Sequence, residues 1–256
     1  MTKFTELLGK AGRRDDEPLG FGRGGKRSAR TPDILVIGRI GTKDLPKLDV
    51  EGFPVDAFLL ETEKLGAKAL TAASKALDGA VWGVRIKAVG SDEVENLKAS
   101  GADFIVFEAS DTRASVLGEE ELGAFLSVGP DLGEEEAQAV HGLPIDGVAI
   151  EVDANSFPLT IETLMRLHRP VTSGAHAIVL SDFDPKTLTA GDLEAMRGAG
   201  VSALALPAAS KADLGALRKT IADLPEPKHA QDDTMALIPH SGAADEQEDF
   251  DEDEDY

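Results

Sequence analysis

The chain has 256 residues, 42% of them apolar, a mean hydropathy of -0.14 and a formal charge of -21 at neutral pH. That length and apolar fraction suffice for one sizeable core, so a single main domain is the default, and the charge repels nucleic-acid phosphate and anionic lipid. The absence of cysteine excludes disulfides, Fe–S clusters and thiolate zinc sites. With no apolar run of membrane-spanning or signal-peptide length, a soluble, cytoplasmic protein is expected.

Residues 1–31 run against the overall charge, with eight Lys/Arg against four acids. Phe4, Leu7, Leu8 and Ala11 follow the i, i+3, i+4, i+7 spacing of a short amphipathic helix over residues 2–11. Gly12 to Arg30 lacks periodicity and reads as a flexible linker. Its Gly20-Phe-Gly-Arg-Gly-Gly25 stretch holds a loose Gly-x-Gly but follows no strand and opens no helix, so it is not a nucleotide fingerprint.

From Asp33 onward eight apolar runs of strand type occur: 34–37, 56–61, 82–87, 103–108, 124–128, 146–152, 176–181 and 202–206. Helical patterns at 62–78, 91–100, 133–141, 159–169, 189–199 and 210–222 separate most of them. The alternation predicts an α/β fold with a parallel sheet, and eight units predict closure into a single (β/α)8 barrel over residues 32–225. Residues 38–55 and 110–123 show little helix, which keeps an open doubly wound sheet in play. Residues 226–256 end in nine acids between Asp245 and Asp255 and are expected to be a disordered acidic tail. Phe250 and Tyr256 within it are candidate anchors for a basic protein partner.

Gly52 to Leu60 matches Gly142 to Ile150 in character at an offset of 90, and Asp92 to Phe107 matches Gly191 to Leu206 at an offset of 99. Both pairs lie four strands apart. This resembles the half-barrel duplication of the isomerase and cyclase barrels of histidine biosynthesis. The resemblance is architectural, because the ends of strands one and five read Gly38-Arg39 and Gly129-Pro130 where those enzymes carry an acid.

In a parallel barrel, chemistry gathers at the C-terminal ends of the strands. Strand alternation puts Glu61, Lys87, Glu108 and Glu151 at that mouth as candidate catalytic groups, with Arg85 a layer deeper and Asp153 and Asp182 at the rim. Arg85 and Arg39 are the candidate substrate holders. Glu108, Glu151 and Asp153 are the candidate ligands of a Mg²⁺ ion, and carboxylates so placed also serve as an acid/base pair. The alternative is a buried ion-pair network in which Arg85 and Lys87 neutralise Glu61, Glu108 and Glu151. The loop Ser181-Asp182-Phe183-Asp184 repels phosphate, Pro207-Ala208-Ala209 lacks glycine, and the five histidines show no zinc spacing. Ser210 with Asp213 reads as a helix N-cap, and Trp82 and Phe107 as core.

Two functions follow as expectations: a lyase- or isomerase-type enzyme acting on a small carboxylated, acidic metabolite, or a non-catalytic scaffold whose charged arms dock other proteins. The basic arm is expected first to pack against the bottom of the barrel, ahead of partner docking or pairing with the acidic tail. Membrane contact through one ten-residue helix is disfavoured.

Overall fold

The computed structural model describes residues 1–11, 32–62, 66–129, 131–171 and 176–226. The expected linker and acidic tail, together with His229 and His240, lie outside the described residues. Eight strands follow in order: β1 (Leu35–Gly41), β2 (Ala57–Glu61), β3 (Trp82–Ile86), β4 (Phe104–Phe107), β5 (Gly123–Val128), β6 (Gly147–Glu151), β7 (His176–Leu180) and β8 (Val201–Pro207). Each pairs in parallel with the next, and β8 pairs with β1. The barrel is closed, which removes the open-sheet alternative.

Helices α1 (Lys3–Lys10), α2 (Ala67–Ala76), α3 (Ser91–Ser100), α4 (Glu134–His141), α5 (Ile161–His168), α6 (Ala190–Gly198) and α7 (Lys211–Ala222) fall where apolar spacing predicts them. The two helix-poor joints hold short 3-10 turns instead, Leu45–Lys47 after β1 and Ala114–Gly118 after β4. β1 runs on to Gly41, past the expected end at residue 37, because ladder pairing with β2 continues through the Gly38-Arg39 pair that interrupts the apolar run. The Ser210 cap of α7 is present, its Oγ accepting from the Asp213 N–H at 3.3 Å.

Alternation along each strand divides the core in two. Outward residues such as Val36, Phe58, Trp82, Ile105, Phe107 and Val148 pack under the helices. Inward residues, among them Leu35, Ala57, Leu59, Phe104, Phe125 and Ala149, fill the barrel. On β4 an aromatic faces inward, since Phe104 lies inside the barrel and is fully buried. Gly83 on the neighbouring strand makes room for it: a Cβ there would meet the Phe104 carbonyl oxygen at 2.5 Å and its ring at 2.6 Å.

The bottom of the barrel is closed by α1. Phe4 is fully buried, stacks on Phe104 with ring centroids 4.0 Å apart and meets Phe125 edge-on at 5.4 Å. The first turn is anchored by charge, with the Lys3 and Phe4 N–H groups donating to the Asp103 carboxylate at 3.1 and 2.6 Å. The apolar stripe of residues 2–11 is therefore core, and two otherwise orphaned helix donors are satisfied by the strand it seats on.

The internal repeat is also a repeat of hydrogen bonds. The Asp56 N–H donates to the Val36 carbonyl at 2.8 Å while its carboxylate accepts from the Val36 N–H at 2.9 Å. Asp146 treats Ala124 in the same way, at 2.9 and 2.8 Å. The turns just before match too, Phe53 to Val50 and Val55 to Phe53 against Leu143 to Val140 and Ile145 to Leu143. In the second repeat Gly101 and Gly200 both leave their helices at positive φ, 84° and 90°.

Candidate functional site

The mouth is built by the last inward residues of the strands and the loops after them. Arg39, near the end of β1, is 10% exposed and grips Glu61 of β2 through Nε and Nη2 at 3.0 and 3.1 Å. Its Nη1 donates to the Ser181 carbonyl at 3.0 Å and to Asp182 at 2.8 Å. Most of the Arg39 donors are thus committed within the protein, where they tie the β1, β2 and β7 ends together.

Arg85 of β3 stands between the two pseudo-equivalent glutamates. Its Nη1 donates to Glu61 at 3.2 Å and its Nη2 to Glu151 of β6. Ser127 of β5 completes the row by donating to Glu151 at 2.9 Å. The result is a continuous chain of contacts from Asp182 through Arg39, Glu61, Arg85 and Glu151 to Ser127. Lys87 is not part of it: the residue lies just past β3, is exposed, and makes no ion pair among the described residues. The neutralising pair expected of Arg85 and Lys87 is in fact Arg39 and Arg85.

Two cavities open at this mouth. The larger, about 770 Å³, is lined by Arg39, Arg85, Glu108, Glu151, Asp153 and Asp182 among others. The smaller, about 290 Å³, includes Glu61, Arg85, Lys87 and Glu108. Arg85, Glu108 and Ser127 border both. Glu108 is half-buried and, among the described residues, takes part in no hydrogen bond or ion pair, although Glu61 and Glu151 on either side are held. Glu108, Glu151 and Asp153 line one cavity, but no three His, Asp or Glu side chains among the described residues come together as metal ligands do.

Each proposed site residue therefore borders one of the two cavities, while Ser127, which sequence reasoning passed over, links to Glu151. Its inward parity with Gly123 and Phe125 was the available signal. At the opposite end, His176 opens β7 and lies 3.4 Å from the Ser202 hydroxyl.

No protein-family model and no curated protein sequence matches the chain. Solved structures do. Thiamine phosphate pyrophosphorylase from Pyrococcus furiosus is 15% identical with a TM-score of 0.52, over 74% of this chain and 96% of that one. A tryptophan synthase alpha-subunit from the same organism is 12% identical with a TM-score of 0.53, over 74% and 97%. Orotidine 5'-phosphate decarboxylase from Pyrococcus horikoshii is 11% identical with a TM-score of 0.55, over 73% and 99%. These neighbours are barrel enzymes, and the likeness to them is one of fold: the chain is a closed (β/α)8, or TIM, barrel.

Proposed function

We propose that the protein is a barrel enzyme of lyase or isomerase type that moves a proton on a small carboxylated metabolite, with Glu108 as the proton-carrying group. The observation that carries this is the contrast at the mouth: Glu61 and Glu151 are held by arginine and serine, whereas Glu108 borders both cavities with no protein partner among the described residues. A general base needs a free carboxylate within reach of the substrate.

In this reading Glu108 takes a proton from the carbon beside the substrate carboxylate. The electron pair left behind moves onto that carboxylate, where Arg85 offsets the growing negative charge. Arg85 is pre-oriented for this task by Glu61 and Glu151, so little reorganisation is needed. Ser127 keeps Glu151 turned toward Arg85, and Lys87 offers a second positive charge from the smaller cavity.

Two of the neighbours carry a phosphate compound in their names. Phosphate suits this mouth poorly, because Asp182 and Asp153 border the larger cavity and the end of β8 runs on through Pro207-Ala208-Ala209 without glycine. No described helix is long and apolar enough to cross a membrane, and a cytoplasmic location belongs to the proposal.

The test is deuterium exchange in D₂O over a panel of small 2-hydroxy and 2-amino acids, followed by proton NMR. Exchange at one carbon-bound hydrogen, slowed by about 10²–10⁴-fold in Glu108→Gln, is expected. Exchange that persists unchanged in Glu108→Gln removes Glu108 from the role. The Asp182-to-Ser127 chain favours one rival, a non-catalytic barrel whose mouth is braced by its own ion pairs and whose charged arms dock other proteins. That rival predicts exchange with no member of the panel and capture of a partner lost on deleting residues 227–256.

A further inference from the structure

Counted over both cavities, the mouth residues carry three cations, Arg39, Arg85 and Lys87, against five carboxylates, Glu61, Glu108, Glu151, Asp153 and Asp182. The two arginines are already spent on Glu61, Glu151 and Asp182. Lys87 remains beside the smaller cavity, Asp153 beside the larger, and Glu108 beside both. The uncommitted charge is therefore divided in space, positive at one end and negative at the other, with Glu108 between the two cavities. A dianion placed in the larger cavity meets net negative charge, and a dication is left without a use for Lys87.

We infer that the ligand of this mouth is a zwitterion, an amino acid-like molecule whose carboxylate faces Lys87 in the smaller cavity and whose ammonium group faces Asp153 in the larger. The inference rests on the site reading above and narrows its substrate class. A ligand that spans the two cavities in this way passes Glu108 and Arg85, which border both, and leaves Glu108 free to take the proton. Phosphate esters and dicarboxylates are selected against by the same charges that hold the zwitterion.

Isothermal titration of the full chain with a length-matched series tests this: 5-aminovalerate, glutarate and cadaverine share a five-carbon backbone and differ only in their end charges, with glycerol 3-phosphate and Mg²⁺ alone as further probes. The expected order is 5-aminovalerate about tenfold tighter than glutarate or cadaverine, with no saturable glycerol 3-phosphate binding. Lys87→Ala is expected to weaken 5-aminovalerate about tenfold and to tighten cadaverine, and Asp153→Asn to weaken both. Circular dichroism of each variant checks that the barrel is intact.

Tighter glutarate binding that is lost in Lys87→Ala overturns the zwitterion while the site stands. Saturable Mg²⁺ binding that Asp153→Asn abolishes overturns it in favour of a metal. Binding of no probe, with all variants indistinguishable from wild type, overturns both the zwitterion and the site.

Discussion

At the bottom of the barrel Asp56 and Asp146 clamp the strands before them with the same pair of hydrogen bonds, whereas at the mouth the first half presents Arg39, Arg85 and Glu108 where the second presents Ser127, Leu180 and Pro207. Only the glutamates Glu61 and Glu151 are common to both halves there. Glu61 sits between two arginines and is 32% exposed; Glu151 has one arginine and a serine and is 48% exposed. The strand scaffold thus keeps its bottom constant while its top is free to change. What separates a braced half from an open one is a handful of inward side chains at strand ends.

Breaking that comparison at Glu108, the proposed proton carrier, gives the largest effect. Glu108→Gln is expected to lower turnover by about 10²–10⁴-fold with the melting temperature nearly unchanged, measured by the exchange assay and by calorimetry, because Glu108 makes no bond among the described residues whose loss would weaken the fold. Next comes the seam where the halves meet. Phe4→Ala removes a ring packed between Phe104 of β4 and Phe125 of β5, and urea unfolding should show a loss of about 3–5 kcal/mol.

Making the first half resemble the second is a smaller perturbation. Arg39→Ser leaves Glu61 with Arg85 alone and is expected to cost about 2 kcal/mol, below the roughly 3–5 of a fully buried pair, since a third of Glu61 reaches solvent. A denaturant midpoint equal to wild type would mean that the first half needs no brace. The smallest effect concerns the bottom. Burial pushes the Asp56 carboxyl up from the ordinary aspartate value, despite the Val36 N–H and the Arg218 guanidinium, which act the other way. A raised folded value means that the native state holds the proton more tightly. Relative to Asp56→Asn, the wild-type chain should therefore gain stability as pH falls through that raised value, with the gain complete below the ordinary one. Paired melting curves across acid pH measure it.

The strands, six of the helices between them and the inner and outer faces were legible because apolar runs alternate with helical spacing, and because small residues such as Ala57, Gly83 and Ala149 mark the inner face. Closure was not legible from the joints, since a 3-10 turn such as Leu45–Lys47 leaves no periodic trace. The end of β1 was missed for a related reason: Gly38 and Arg39 lack the apolar signature, yet ladder bonds with β2 and β8 hold them in the strand. At the site, parity along each strand placed Glu61, Arg85, Glu108 and Glu151 at one mouth. Parity could not say which side chains would pair, because Asp182, a partner of Arg39, follows β7 and Glu151, a partner of Arg85, lies on β6, and these ends come together only on closure.

The seating of α1 has a consequence for how the chain reaches this state. Phe4 and the Asp103 carboxylate it depends on are 99 positions apart, and Phe125 lies further still. On a chain emerging from the ribosome the helix must wait, its apolar stripe uncovered, until β4 and β5 have been made. Contacts of such long range are formed late and slowly. Pulse-labelled hydrogen exchange during refolding should therefore find the Lys3 and Phe4 amides among the last to gain protection.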